Sequence, residues 1–146
     1  MKRNLLISAC LLGIPCRYDG KRVTKVDISA LREKYNLIPI CPEIYGGLPT
    51  PRIPSERVGG RVLMKDGRDV TENYKRGAEA SLDIAKANGV SLALLKARSP
   101  SCGKGLIYDG SFSGTLTEGD GVAAELLMKE EITVFTEEEL DLLIAN

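Results

Sequence analysis

Cys10, Cys16, Cys41 and Cys102 are the residues with the widest chemistry open to them, and no histidine stands anywhere in the 146 residues. Without imidazole there is no Ser-His-Asp triad, no histidine general base and no zinc site with a nitrogen ligand. The cysteines form no Cys-x-x-Cys pair, so the signatures of a zinc ribbon and of a thioredoxin-type redox pair are both missing. All-thiolate ligation favours zinc or an iron–sulfur cluster, and a cluster held by three thiolates keeps one iron open to a soft sulfur ligand. The plainer alternative is that each cysteine is a small buried hydrophobe. Groups able to move protons or orient a substrate stand close in sequence: Glu43 two residues after Cys41, Ser101 beside Cys102, and Tyr18 and Asp19 after Cys16. Glu43 can equally be a helix-start or loop carboxylate, and Ser101, between Pro100 and Cys102, can equally satisfy a turn.

Whether these thiols meet depends on the elements that carry them. Short continuous apolar runs at Asn4 to Ala9, Leu37 to Ile40 and Leu92 to Leu95 suit strands buried on both faces of a parallel sheet, and Ile132 to Phe135 makes a fourth. Helical patterns fill the intervals at Asp27 to Tyr35, Glu72 to Asn88 and Asp120 to Glu130. In the longest, Tyr74, Ala78, Ser81, Leu82 and Ala85 recur at spacings of three and four, a small-residue stripe turned to the sheet, and Gly89 closes it. Thr136 followed by Glu139 is a capping-box signature for a last helix through Ala145. The alternation predicts an α/β fold, an open doubly wound (Rossmann-like) parallel sheet of about four strands. Ligands of such sheets bind beyond the carboxyl ends of the strands. Cys10 directly follows the first strand, Cys41 the second, and Cys102 lies in the loop after the third, with Cys16 sharing the loop of Cys10.

Residues 46–70 break the rhythm with their glycines and prolines. Val62-Leu63-Met64 followed by the turn dipeptide Asp66-Gly67 predicts an inserted loop with a small β-hairpin. Long connections in compact domains are often functional, and Arg52, Arg57 and Arg61 of this one could close over an anionic or polar ligand or simply be solvated.

Composition narrows the remaining classes. The length suits one domain over residues 1–146. Lys plus Arg balance Asp plus Glu at 20 each, so no bulk attraction to nucleic acid or to an anionic membrane is expected. No apolar run approaches the roughly 20 residues of a bilayer span. The run after Lys2 and Arg3 leads into Cys10 rather than a small-residue cleavage site, so a cytoplasmic protein with reduced or metal-bound thiols is expected.

Several longer motifs stand in order over nearly the whole chain. Ser8-Ala9-Cys10-Leu11-Leu12-Gly13 with Cys16-Arg17-Tyr18-Asp19-Gly20 comes first, then Cys41-Pro42-Glu43, Gly46-Gly47-Leu48 and Pro51-Arg52 with Pro54 and Glu56. Gly67-Arg68-Asp69-Val70-Thr71, Ser99-Pro100-Ser101-Cys102-Gly103 and Ile107-Tyr108-Asp109-Gly110 follow. Together they resemble the thiouracil desulfidase family, long classed as a domain of unknown function. Two departures are small: Tyr74 replaces an expected Phe and Glu131 a common glycine, neither expected to touch the site.

The resemblance implies a 4Fe-4S cluster on Cys10, Cys41 and Cys102, with one iron not bound by cysteine, and proton-handling roles for Glu43 and Ser101. Cys16 is left open, either exchanging with Cys10 or guarding the open iron. The implied reaction is a hydrolytic, non-redox desulfuration of thiolated pyrimidines, 2-thiouracil to uracil with release of sulfide. The thiocarbonyl sulfur would bind the open iron, water deprotonated by Glu43 would add to the ring carbon, and Ser101 would relay a proton. No electron is consumed overall, in keeping with the lack of a G-x-G-x-x-G dinucleotide motif. Two rival readings stand beside it. One is a thiol-based redox or metal-sensing module with a reversible Cys10–Cys16 disulfide. The other is the same chemistry on a 4-thiouridine nucleoside or nucleotide, with Arg52, Arg57 or Lys104 binding phosphate.

Overall fold

The computed structural model describes residues 2–20 and 27–145. In chain order they form β1 (Arg3–Ser8), a 3-10 turn (Ala9–Leu12), α1 (Ser29–Lys34), β2 (Tyr35–Ile40), α2 (Pro42–Tyr45), β3 (Ser55–Val58) and β4 (Arg61–Met64). There follow α3 (Thr71–Ala87), β5 (Leu92–Leu95), β6 (Leu106–Tyr108), β7 (Leu116–Glu118), α4 (Val122–Lys129), β8 (Thr133–Thr136), a 3-10 turn (Glu137–Glu139) and α5 (Leu140–Ala145).

The four predicted apolar runs are the four strands of one parallel sheet, in the order β2-β1-β5-β8. Central position goes with burial: Leu5, Leu6 and Ile7 of β1 are fully enclosed, and all of β5 is buried. Each such leucine or isoleucine contributes about 1.5–3 kcal/mol by leaving water. Alternate residues serve opposite faces. Leu6, Ala93 and Leu95 pack under α3 and α4, and Leu5, Ile7 and Leu94 pack over α1 and α5 through Leu31 and Leu143. β2 holds Pro39 opposite Ile7 of β1. It tolerates a residue without an N–H because it is an edge strand.

The predicted stripe on α3 is buried as expected, with Gly77 added to it. The helix after the first loop is shorter than predicted, because Tyr35 already belongs to β2, its buried hydroxyl donating to the Leu143 carbonyl at 2.9 Å. The Thr136–Glu139 capping box is present and opens the last helical stretch. Glu131, where the family pattern leads one to expect glycine, has a φ of 66°. That is the left-handed conformation glycine adopts without steric cost.

Two antiparallel hairpins sit beside the sheet. The first is the expected insertion, β3 with β4, but its tight connection is Gly59-Gly60. Asp66-Gly67 makes the next return, where the Met64 N–H bonds the Arg68 carbonyl at 2.8 Å. The second, β6 with β7, was not predicted. Among the described residues no helix is long and apolar enough to cross a membrane.

A Cβ on Gly77 would lie 1.8 Å from the Pro42 carbonyl oxygen, so α3 and α2 meet backbone to backbone. Gly77→Ala should therefore destabilise the protein by about 1–3 kcal/mol through overpacking, despite alanine's better helix propensity. Thermal unfolding checks this, and an unchanged or raised Tm would mean that α2 can move aside at no cost.

Candidate active site

The carboxyl edge of the sheet opens into a cavity of about 430 Å³ lined by all four cysteines together with Glu43 and Ser101. Topology puts them there. β1 and β5 flank the point where strand order reverses, and the first turn after β1 carries Cys10 while the loop after β5 carries Cys102. Cys41 is the residue between β2 and α2. Cys16 returns to the same place, its carbonyl oxygen 3.9 Å from the Cys41 sulfur. Cys10, Cys16 and Cys102 are buried and Cys41 is half-buried, all of them free thiols.

The Cys102 loop is held rigidly. Ser99 Oγ accepts from the backbone N–H groups of Ser101 (3.0 Å) and Cys102 (2.8 Å). The Ser101 carbonyl accepts from the N–H groups of Ala123 and Ala124, and the Pro100 carbonyl from Val122. The start of α4 thus finds partners for its otherwise unpaired donors in the very loop that presents Ser101 and Cys102.

Glu43 stands in the first turn of α2 with its carboxylate wrapped by three donors. Arg52, whose side chain is almost wholly buried, bonds Oε2. Tyr74 donates to Oε1 at 3.1 Å and Ser101 Oγ reaches the same oxygen at 3.3 Å. A carboxylate offers about four lone-pair sites, so a place remains for a water molecule. Ser101 Oγ also lies 3.4 Å from the Cys102 sulfur, and its one hydrogen can serve only one of these two acceptors at a time.

Tyr74 corrects an expectation. As a residue of the buried stripe it was expected to stay clear of the site, yet its hydroxyl reaches into it. A buried tyrosine hydroxyl needs a partner, and that requirement was the available clue. Burial first, and then the charge of Glu43, push this hydroxyl far above its ordinary pKa, so it remains a donor. The insertion's arginines divide. Arg52 turns inward to Glu43, whereas Arg57 bonds Glu125 and the Asp120 carbonyl, and Arg61 pairs with Asp69 at the surface. Lys104 is engaged by Glu139 and the Val134 carbonyl. Arg57 and Lys104 are therefore structural cations here, not candidates for a phosphate. Tyr18 lines the cavity, and Asp19 pairs with Arg17 at 3.5 Å.

The thiols are crowded together around one cavity. Cys16 is pushed up to about 11, first by its hydrogen bond to Cys10, with the one to Cys41 acting the other way. Cys102 is pushed up to about 11 by complete enclosure, against hydrogen bonds from Ser101 and Ser8. Cys41 rises above the usual thiol range through its hydrogen bond to Cys16 and through burial. A cationic group among them would reverse these shifts, since metal binding displaces thiol protons. Among the described residues no three Cys, Asp or Glu side chains could hold one metal ion. A cluster is a different demand, because each thiolate binds its own iron. Thiols gathered around one cavity with no nitrogen ligand are the donor set that iron–sulfur chemistry uses.

Comparison with known proteins agrees with the motifs. A family model described as 2-thiouracil desulfurase matches residues 5–139. A Bacillus subtilis (strain 168) protein, named only as uncharacterized protein YbbK, is 41% identical over 147 residues, spanning 94% of this chain and 97% of its own. Among solved structures, the 4Fe-4S-dependent thiouracil desulfidase TudS has a TM-score of 0.93 at 46% identity, with 97% of this chain and 95% of that one covered.

Proposed function

The chain belongs to the 2-thiouracil desulfurase family, and from that premise we propose that residues 1–146 form one desulfidase domain converting 2-thiouracil to uracil and sulfide by hydrolysis. The observation that carries the proposal is Glu43, a clamped carboxylate joined through Ser101 to the Cys102 thiol inside a cavity lined by every cysteine of the chain. Cys10, Cys41 and Cys102 would hold the 4Fe-4S cluster. When bound, it supplies an iron with an open position, a Lewis acid for a thiocarbonyl sulfur.

The protein's own residues supply the rest. Arg52 and Tyr74 fix the Glu43 carboxylate, one oxygen each, so that its remaining lone pair faces the cavity and takes the proton of a water attacking the ring carbon. Ser101, alternating between Glu43 and the sulfur side of the site, passes that proton to the departing sulfur. The balance is one water consumed and one hydrogen sulfide released, with no net electron. A second substrate class, a nucleotide form of the base, would draw on Lys65 of the cavity wall, since Arg17 and Arg98 beside it are paired with Asp19 and Glu138.

After anaerobic reconstitution with iron and sulfide, the protein should release uracil and sulfide from 2-thiouracil with no reductant, nucleoside triphosphate or flavin added. A need for stoichiometric reductant or ATP would overturn the hydrolytic account. Turnover of 4-thiouridine monophosphate with 2-thiouracil untouched would keep the chemistry and change the substrate.

A further inference from the structure

The mechanism leaves one wall of the cavity unused. Tyr108, Phe112 and Gly114, all from the β6–β7 hairpin, line it, and the buried Glu56 lines it from β3. Phe112 is an unusual residue in its place. It belongs to none of the three buried apolar clusters, so it does not serve the core. Its φ is 55°, a conformation costly for a bulky side chain. Such strain persists only where the surroundings impose it, and here they do. Glu56 Oε1 accepts from the N–H of Gly110 at 2.9 Å and from that of Phe112 at 3.1 Å. Asp109 Oδ1 takes the Ser111 N–H, and the Asp109 N–H bonds the Thr115 carbonyl. Gly110 lies so close to β3 that a Cβ there would be 2.3 Å from Val58 Cγ2. A half-buried phenyl ring is thus held, against its backbone preference, at the wall of a cavity rather than in the core.

We infer that Phe112 is a substrate-binding residue that stacks on the planar pyrimidine ring, and that Glu56 is a positioning residue acting through the loop to hold that ring in place. The inference rests on the proposed function and deepens it: the site selects a flat, aromatic thiocarbonyl compound. A carboxylate gripping two backbone N–H groups from inside the cavity has no other evident purpose than to fix the loop it grips. Stacking of a base on an aromatic side chain accounts for roughly a 5- to 150-fold change in affinity on removal.

The chain has no tryptophan. Phe112→Trp therefore introduces a single indole whose emission reports directly on a ring placed against it. The measurements use anaerobically purified, cluster-loaded protein with uracil as the probe, since the product binds without turnover. Calorimetry should give roughly 5- to 150-fold weaker binding for Phe112→Leu and Phe112→Ala, and near-normal binding for Phe112→Trp, with indole quenching at the calorimetric midpoint. Glu56→Ala should weaken uracil similarly in the native background and add nothing once Phe112 is leucine, whereas Glu56→Gln, which keeps the accepting oxygen, restores binding. The KM for 2-thiouracil should rise more in Phe112→Leu than the KM for its 5,6-dihydro derivative, which lacks the aromatic ring. Uracil bound equally well by the native protein and Phe112→Leu, or saturation without any change in indole emission, would overturn the inference and leave the desulfidase reading standing. Failure of the native protein to bind either pyrimidine would remove both.

Discussion

Glu43→Gln should leave the visible absorption of the loaded protein in place while lowering kcat by about 100-fold or more, the usual cost of losing a general base. The amide keeps the shape of the side chain and one accepting oxygen for Tyr74 and Ser101, so the pocket does not collapse. It cannot take a proton, and with its oxygen turned to Tyr74 and Ser101 its NH2 group faces Arg52, whose guanidinium has no lone pair to accept its hydrogens. Arg52, with its side chain only 3% exposed, is left without its anion, and a loss of about 1–3 kcal/mol in stability should accompany the loss of rate. Tyr74→Phe separates the two effects. It removes one bond to Oε1 but leaves the carboxylate, Arg52 and Ser101, and should slow turnover by about tenfold at most. A Glu43→Gln protein with near-native kcat, measured by uracil formation, would take Glu43 out of the mechanism.

What could be read in the chain follows a physical division. The four sheet strands were legible because strands buried on both faces must be continuously apolar, and α3 because one face of a long helix must repeat at its own period. The β6–β7 hairpin was not, since Leu106, Tyr108 and all of β7 are exposed and leave no alternating pattern to detect. Convergence of the cysteines was legible from topology alone: three parallel strands ending at one edge carry the residues after them to one place. The clamp on Glu43 was hidden for a different reason. Arg52 reaches it from the insertion and Tyr74 from α3, and both contacts depend on α2 docking against Gly77, a long-range approach that no local pattern announces. The reading of Tyr74 as a plain stripe residue failed at the same point, because helical periodicity says which face is buried but nothing about what a hydroxyl on that face will meet.

Replacing the cysteines one at a time should divide them into two classes by iron content and visible absorption rather than by activity. Cys10→Ser, Cys41→Ser and Cys102→Ser should each yield colourless protein with little bound iron, since a serine hydroxyl is a hard, reluctant ligand where iron–sulfur chemistry calls for a soft thiolate. Cys16→Ser should remain brown. The assignment follows position: Cys10, Cys41 and Cys102 each come from the end of a different sheet strand, on a turn or loop fixed by backbone hydrogen bonds, and so can bind from separate directions around one cluster. Cys16 instead sits in the longer loop after β1, within hydrogen-bonding reach of both Cys10 and Cys41. From that intermediate place it would shield the open iron of a bound cluster or take over from a neighbour. A brown Cys10→Ser protein that loses its colour when Cys16 is also replaced would establish that the two exchange. A brown Cys102→Ser protein with full iron would remove Cys102 from the ligand set. Folding must be checked alongside, because a serine hydroxyl enclosed where the Cys102 sulfur now lies costs about 1–3 kcal/mol unless it finds a partner, and Ser101 and Ser8 are at hand to provide one. With folding preserved, loss of colour at Cys41 and Cys102 together with its retention at Cys16 would mean that cysteines distant in sequence were brought to one cluster by the order of the strands.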